Sequence, residues 1–175
     1  IRSGAVEALG LIGSPRAVMP LITIMNRDEE KIVRREVITA LGYIRDFEAT
    51  SPLIKVLEDQ DKESRRRGVE ALGKIGSRRA VNVIIDALSD QDALVRKKAI
   101  EALGKRTRDR HTMEQVFVKT LDDRNADVRL LAAETLDDMR WSPKTDQEQI
   151  SYYIATRNWN SPILSSTSAV EKLLK

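Results

Sequence analysis

Arginine and aspartate recur in this chain at a fixed spacing. Arg34, Arg65, Arg96 and Arg129 each stand six residues after an acid: Asp28, Asp59, Asp90 and Asp123. The chemistry open to such pairs is charge-assisted hydrogen bonding, which holds elements together and is stronger when partly buried. Residues that transform a substrate are harder to find. His111 is the only histidine and lies in an arginine-rich link, where it reads as a solvated side chain. Ser165 and Ser166 have no neighbouring base to activate them. There is no cysteine, so no thiolate metal site and no disulfide. No glycine-rich phosphate loop occurs, because the glycines recur instead at Gly10, Gly42, Gly73 and Gly104. Acids are abundant, but none is spaced as a calcium loop requires. The expectation is a non-enzyme with no cofactor and no metal.

The elements that position the Asp/Arg pairs repeat with them. RRRGVEALGKIG at Arg65 has counterparts at Arg2, Arg34 and Arg96, and a worn copy, RLLAAETLDDMR, at Arg129. Their central leucines, Leu9, Leu41, Leu72, Leu103 and Leu136, are separated by 32, 31, 31 and 33 residues. A period in this range marks stacked supersecondary units, each too small to bury its own apolar face. Each unit reads as helix A, tight turn, helix B. Helix A is expected at about 15–26, 47–58, 78–89 and 112–122, and helix B at about 31–45, 62–76, 93–106 and 126–140. Asp61, Asp92 and Asn125 are N-cap residues for the B helices. Gly13 stops the first helix, whose apolar stripe reads Ala5, Ala8, Leu9 and Ile12. Pro20 and Pro52 occupy matching places inside A helices and should bend them.

The chain thus divides into a partial repeat (1–13), four repeats (14–45, 46–76, 77–106 and 107–141), an inserted helical segment (142–167) and the start of a truncated repeat (168–175). Within the insert, Thr145 and Glu148 form a capping box, so a helix is expected over 146–158, with Ile150, Tyr153, Ile154 and Arg157 along one stripe. The fold class is all-α: a right-handed α-solenoid, elongated and curved.

Composition agrees. Hydrophobic residues are 41% and charged residues 33%, which excludes a disordered chain. Aromatics are only 4%, so the core is built from Ala, Val, Ile and Leu. No apolar run approaches the length of a membrane span. Net charge is +3, a mild bias that does not by itself imply nucleic acid. A reducing cytoplasmic location is compatible with the absence of cysteine. The chain starts inside a repeat and ends in an unfinished one, which reads as a fragment or as uncapped ends able to self-associate.

An Asp in the intra-repeat turn, an Arg early in helix B and an ALGxIG-like close resemble a HEAT repeat, most nearly the short HEAT-like repeat of phycobilisome lyases. The resemblance covers residues 1–141. It implies that Asp28, Arg34, Asp59, Arg65, Asp90, Arg96, Asp123 and Arg129 form a structural ladder between neighbouring repeats. It implies that the B helices line a concave face. It also raises the reading of a phycobilin lyase subunit. HEAT-like deoxyhypusine hydroxylases are a poor match, since they need repeated His-Glu metal pairs and Thr112 follows the lone His111 here.

On that face the residues after the ladder arginine vary between copies: Arg35 and Tyr43; Arg66, Arg67, Glu70 and Lys74; Lys97, Lys98, Glu101 and Lys105. Residues 96–110 hold seven Lys or Arg against two acids, Glu101 and Asp109. Arg66–Glu70 and Lys97–Glu101 are candidate i,i+4 pairs that would partly neutralise the stripe, though in the less favourable orientation. The expected function is a non-catalytic scaffold that recognises a protein partner through this face. The alternative is phosphate-backbone binding of nucleic acid along the stripe over 66–110. A second contact is expected at Leu130, Leu131, Trp141, Tyr152 and Trp159, unless the insert buries them as core.

Overall fold

The computed structural model describes residues 2–28, 30–105, 110–166 and 169–170. Ten α-helices lie among them: α1 (Arg2–Ile12), α2 (Val18–Arg27), α3 (Lys31–Ile44), α4 (Thr50–Val56), α5 (Lys62–Ile75), α6 (Arg78–Asp86), α7 (Ala93–Gly104), α8 (Arg110–Thr120), α9 (Ala126–Asp138) and α10 (Asp146–Ala155). They form two compact units, Ile1–Lys105 and Arg106–Lys175. The A helices of the sequence are α2, α4, α6 and α8; the B helices are α1, α3, α5, α7 and α9. The closing stretch of the chain, residues 171–175, lies outside the described residues.

In the first unit each B helix packs on the next, α1 on α3, α3 on α5 and α5 on α7, and each A helix lies against its own B helix. Small residues set this stacking. A Cβ built on Gly10 would come within 2.9 Å of Ala40, one on Gly42 within 2.8 Å of Ala71, and one on Gly73 within 2.8 Å of Ala102. The glycine of each ALG motif therefore seats on the alanine of the next. Behind that seam Leu21, Val37, Leu41, Leu53, Val69, Leu72, Ile84, Ala99 and Leu103 are fully buried. The first helix departs from its expected stripe. Val6 and Gly10 face α3, whereas Ala5, Ala8 and Ile12 are exposed. Ala8 matches Ala40 and Ala71, which take the glycine of the preceding helix, and among the described residues no glycine is seated on Ala8.

The expected proline bend takes another form. Residues Pro15–Ala17 and Phe47–Ala49 make 3-10 turns, and the α-helices begin only at Val18 and Thr50. Pro20 and Pro52 therefore fall in a first turn, where an N–H has no intrahelical partner to lose. The helices α1, α3 and α5 end in left-handed residues, Gly13 (φ 69°), Arg45 (φ 58°) and Gly76 (φ 71°), which stop the helix and turn the chain into the next hairpin.

In the second unit α8 packs on α9, and Phe117, Leu121, Val128, Ala132 and Leu136 are buried. The Thr145 cap forms, with Glu148 N–H donating to Thr145 Oγ1 at 3.2 Å, while the Glu148 carboxylate reaches back one residue past the N-cap and accepts Lys144 N–H at 2.6 Å. The insert helix is shorter than expected. It ends at Ala155, and Arg157 lies beyond it at φ 56°, exposed, so it is not part of the stripe. Ile150 packs with Leu164 and Ala169, flanked by Tyr153, Ile154 and Ile163.

The seam gives a direct test. Gly42→Ala should destabilise the chain by about 1–3 kcal/mol in denaturant unfolding, the cost of overpacking a close backbone contact. Gly4→Ala, on open helix surface with nothing within 4 Å, should stabilise it by about 0.5–1 kcal/mol through helix propensity.

Candidate functional site: the B-helix face

The turn before each B helix is locked the same way four times. The ladder aspartate accepts the N–H two residues on: Asp28 from Glu30 (2.9 Å), Asp59 from Asp61 (2.7 Å), Asp90 from Asp92 (2.8 Å) and Asp123 from Asn125 (2.8 Å). The arginine six residues on then donates through Nη1 to that aspartate's own carbonyl: Arg34 at 3.1 Å, Arg65 at 2.9 Å, Arg96 at 2.8 Å and Arg129 at 2.8 Å. The link between repeats is explicit at Arg65, whose Nε and Nη2 reach the two carboxylate oxygens of Asp90 at 2.8 and 2.9 Å. Arg65 and Arg96 are 5% and 3% exposed. Asp90 raises the Arg65 pKa further by this bidentate bond. Arg129 Nε is buried without a hydrogen-bond partner among the described residues. These residues are held too tightly by the chain itself to be a free binding surface.

A second set of cross-repeat pairs runs beside the first. Arg35 grips Asp61, the N-cap of α5, through Nε at 2.8 Å and Nη2 at 2.6 Å, and Lys62 reaches Asp92, the N-cap of α7, at 3.2 Å. Both aspartates keep their capping bonds, to Ser64 N–H and Leu94 N–H. The Arg35 bond holds the Asp61 carboxyl well below the usual carboxylate range.

The pairing within helices differs from the sequence expectation. Arg66 bonds not Glu70 but Glu63, through Nε at 2.8 Å and Nη2 at 2.7 Å, and Arg67 Nε shares the same carboxylate at 2.8 Å. Glu70 instead pairs with Lys74 at 3.0 Å, and Glu101 pairs with Lys98 rather than Lys97. For Glu63 and Glu70 the reason is orientation: an acid four residues before its cation, as in Glu63–Arg67 and Glu70–Lys74, suits the helix dipole better than the reverse. The Lys98–Glu101 pair, with its cation first, does not follow that rule. Arg67 also donates to Thr39 Oγ1 at 3.0 Å, tying α5 to α3. Lys74 Nζ sits 3.8 Å from the centre of the Tyr43 ring, which is 52% exposed.

What remains unneutralised is small and specific. Arg66 and Arg67 divide one carboxylate between them. Lys97, half-buried, and Lys105, exposed, form no ion pair among the described residues. Residues 106–109, the rest of the expected basic stripe, lie outside the described residues.

Sequence reasoning missed Glu63 and two apolar residues at the equivalent place. The second residue of each B helix from α3 to α9 is Ile32, Glu63, Leu94 and Asp127. Ile32 is 64% exposed and Leu94 56%. Aligning the repeats on the ladder arginine would have revealed this alternation.

In the second unit Trp141 lies against Tyr152, with centroids 6.0 Å apart, and Tyr152 against Tyr153 at 5.9 Å. Tyr152 donates to Asp137 at 2.6 Å, and burial together with that carboxylate pushes its pKa up to about 12. Leu130 and Leu131 are half-buried and Trp159 is 55% exposed. The expected aromatic contact is therefore mostly internal packing, with Trp159 the part left outside. His111 is exposed, within 3.2 Å of Gln115. Among the described residues no three His, Cys, Asp or Glu side chains are placed to hold a metal, and no helix is long and apolar enough to cross a membrane.

Stacked helical hairpins with this seam define an all-α solenoid. The HEAT repeat family model matches residues 1–57 and 50–137, and the chain belongs to that family. Over 58 residues it is 40% identical to the bilin biosynthesis protein PecE of Nostoc sp. strain PCC 7120, a match covering 33% of this chain and 23% of that protein. The complex of CpcE and CpcF of phycocyanin lyase from Nostoc sp. PCC7120 is similar in fold, with TM-score 0.53 and 21% identity, over 98% of this chain and 71% of that one. A designed armadillo repeat protein in complex with the peptide (KR)4 is similar at TM-score 0.56 and 18% identity, over 98% of this chain and 89% of that one. The repeat type read from the sequence is thus the one the family and its relatives show.

The shared carboxylate predicts a pH response. Glu63 has its pKa lowered to about 2, first by its bonds from Arg66 and against the cost of burial. A depressed carboxylate stabilises the fold above its unfolded pKa and loses that contribution as pH falls toward its folded value. Between pH 4.5 and pH 2 the thermal midpoint should therefore fall further in the natural chain than in Glu63→Gln. Parallel curves for the two would show that the pair contributes nothing.

Proposed function

We propose that this chain is a protein-recognition module that engages a partner through the B-helix face of its first unit. The observation that carries the reading is the division between locked and unlocked cations. Arg34, Arg65, Arg96 and Arg129 are consumed by the turn lock, and Arg35 by Asp61. Arg66 and Arg67 share one acid, and Lys97 and Lys105 have none among the described residues. Arg66, Arg67 and Lys97 lie on helices, where a binding surface is held in place at less ordering cost. Nucleic acid is the weaker reading. Among the described residues Arg66, Arg67, Lys74 and Lys98 are paired within their own helices, and Tyr43, the aromatic beside them, already carries Lys74, which leaves base stacking little support there.

The test is affinity capture from the source cells, followed by reconstitution with the purified partner. Arg66→Glu combined with Lys97→Glu should weaken that complex at least tenfold. Arg79→Glu, on the A-helix side, should leave it unchanged. A partner indifferent to the double variant would overturn the reading, as would tight duplex DNA binding that weakens steeply with salt.

A second reading rests on the match to PecE: that the chain is a subunit of a bilin-handling assembly. Titration with a free bilin, followed by its visible absorbance, should then show a saturable shift. No shift up to about 100 times the micromolar range expected of a specific ligand would remove it.

A further inference from the structure

The second residues of the B helices in the first unit carry information that the charge stripe alone does not. Ile32 and Leu94 are large, apolar and more than half exposed. Single exposed apolar residues need no explanation. These two, however, hold the same position in alternate copies, with Glu63 at that position between them. One turn further along α7, behind Leu94, stand Lys97 and Lys98; behind Glu63 stand Arg66 and Arg67. Leu94 thus borders cationic ground, whereas Ile32 is followed one turn on by Arg35, held by Asp61, and by Glu36. The middle copy holds two guanidinium groups on one carboxylate.

We propose that this row is a docking surface for an extended acidic segment of a partner protein, with two apolar side chains about six residues apart seated on Ile32 and Leu94. The inference rests on the protein-recognition reading above and specifies its partner. Charge complementarity sets the middle of the segment: carboxylates there meet Arg66, Arg67 and Lys97, where a second acid can join Glu63 on the guanidinium pair. Spacing sets the anchors. Neighbouring B helices pack about 8–10 Å apart, so Ile32 and Leu94 lie about 16–20 Å apart, two steps along the stack. An extended chain advances about 3.3 Å per residue and covers that span in about five or six. Six keeps both side chains on one side of the segment, since alternate residues share a face. A phosphate backbone would use the cations but gain nothing from Ile32 and Leu94, so the apolar pair favours a peptide over a nucleic acid.

The experiment is fluorescence anisotropy on the full chain. The probe is a fluorescein-labelled twelve-residue peptide with two leucines six apart and glutamates and serines between them. The controls are the same peptide with both leucines changed to serine, and a labelled 20-base-pair DNA duplex. The proposal expects saturable binding in the micromolar range, at least tenfold weaker for the serine peptide and for Ile32→Ser or Leu94→Ser. Arg66→Ser and Lys97→Ser should weaken binding and flatten its salt dependence. Phe47→Ser, equally exposed on an A-helix turn, should change nothing. Circular dichroism verifies that each variant is folded, and the substituted side chains are outside the core. No saturation at low salt would overturn the proposal, as would binding indifferent to Ile32→Ser and Leu94→Ser, or tighter binding of the duplex. If the captured partner is lost with the Arg66/Lys97 double variant yet kept by Ile32→Ser and Leu94→Ser, the recognition reading stands and this one falls.

Discussion

The turn lock is what the rest of the structure depends on. One aspartate closes a turn onto the N–H two residues on, and one arginine, six residues later, clamps that aspartate's carbonyl. The lock fixes where helix B starts and hence which residues follow on its exposed side. At Arg65 the remaining guanidinium nitrogens reach Asp90 of the next repeat, so the device that shapes one hairpin also sets its register on the next. Buried pairs of this kind contribute little against an apolar replacement. Losing one partner is another matter, because a charge is left without compensation. Their value here is geometric.

The glycine seam works with the lock. Arginine fixes the start of each B helix, and Gly10, Gly42 and Gly73 let the helix bodies close on Ala40, Ala71 and Ala102. The fifth copy abandons both small residues: Thr135 and Asp137 replace the Ala and Gly of the motif. Asp137 instead accepts the hydroxyl of Tyr152 from the inserted helix. The residue that would have ended the close approach has become the anchor of the insert.

Much of the fold was legible because it rests on repetition. The period, the Asp/Arg spacing and the N-caps at Asp61, Asp92 and Asn125 are each stated several times in one chain. The face was less legible because its contacts are decided by side-chain choice. Arg66 has acids at both i−3 and i+4, and only the structure shows it takes Glu63. Pro20 was placed correctly but its effect was not, since a 3-10 turn ahead of it moved the helix start. The stripe of α1 differs for another reason: Ala40 and Ala71 are buried under a neighbouring helix's glycine, whereas the matching Ala8 is exposed. Ile32 and Leu94 escaped notice because an exposed apolar residue looks like noise until its repeat-equivalents are aligned.

The account separates residues that build the stack from residues that present its surface, and the Arg65–Asp90 contact is where that separation is sharpest. A double-mutant cycle on Arg65→Met and Asp90→Asn, read by urea unfolding, measures it directly. Asparagine keeps the side-chain oxygen that closes the turn and removes the charge that Arg65 binds. The account predicts a coupling energy toward the upper part of the range of about 0.5–3 kcal/mol seen for contacting residues. Additive effects of the two substitutions, with no coupling, would contradict it.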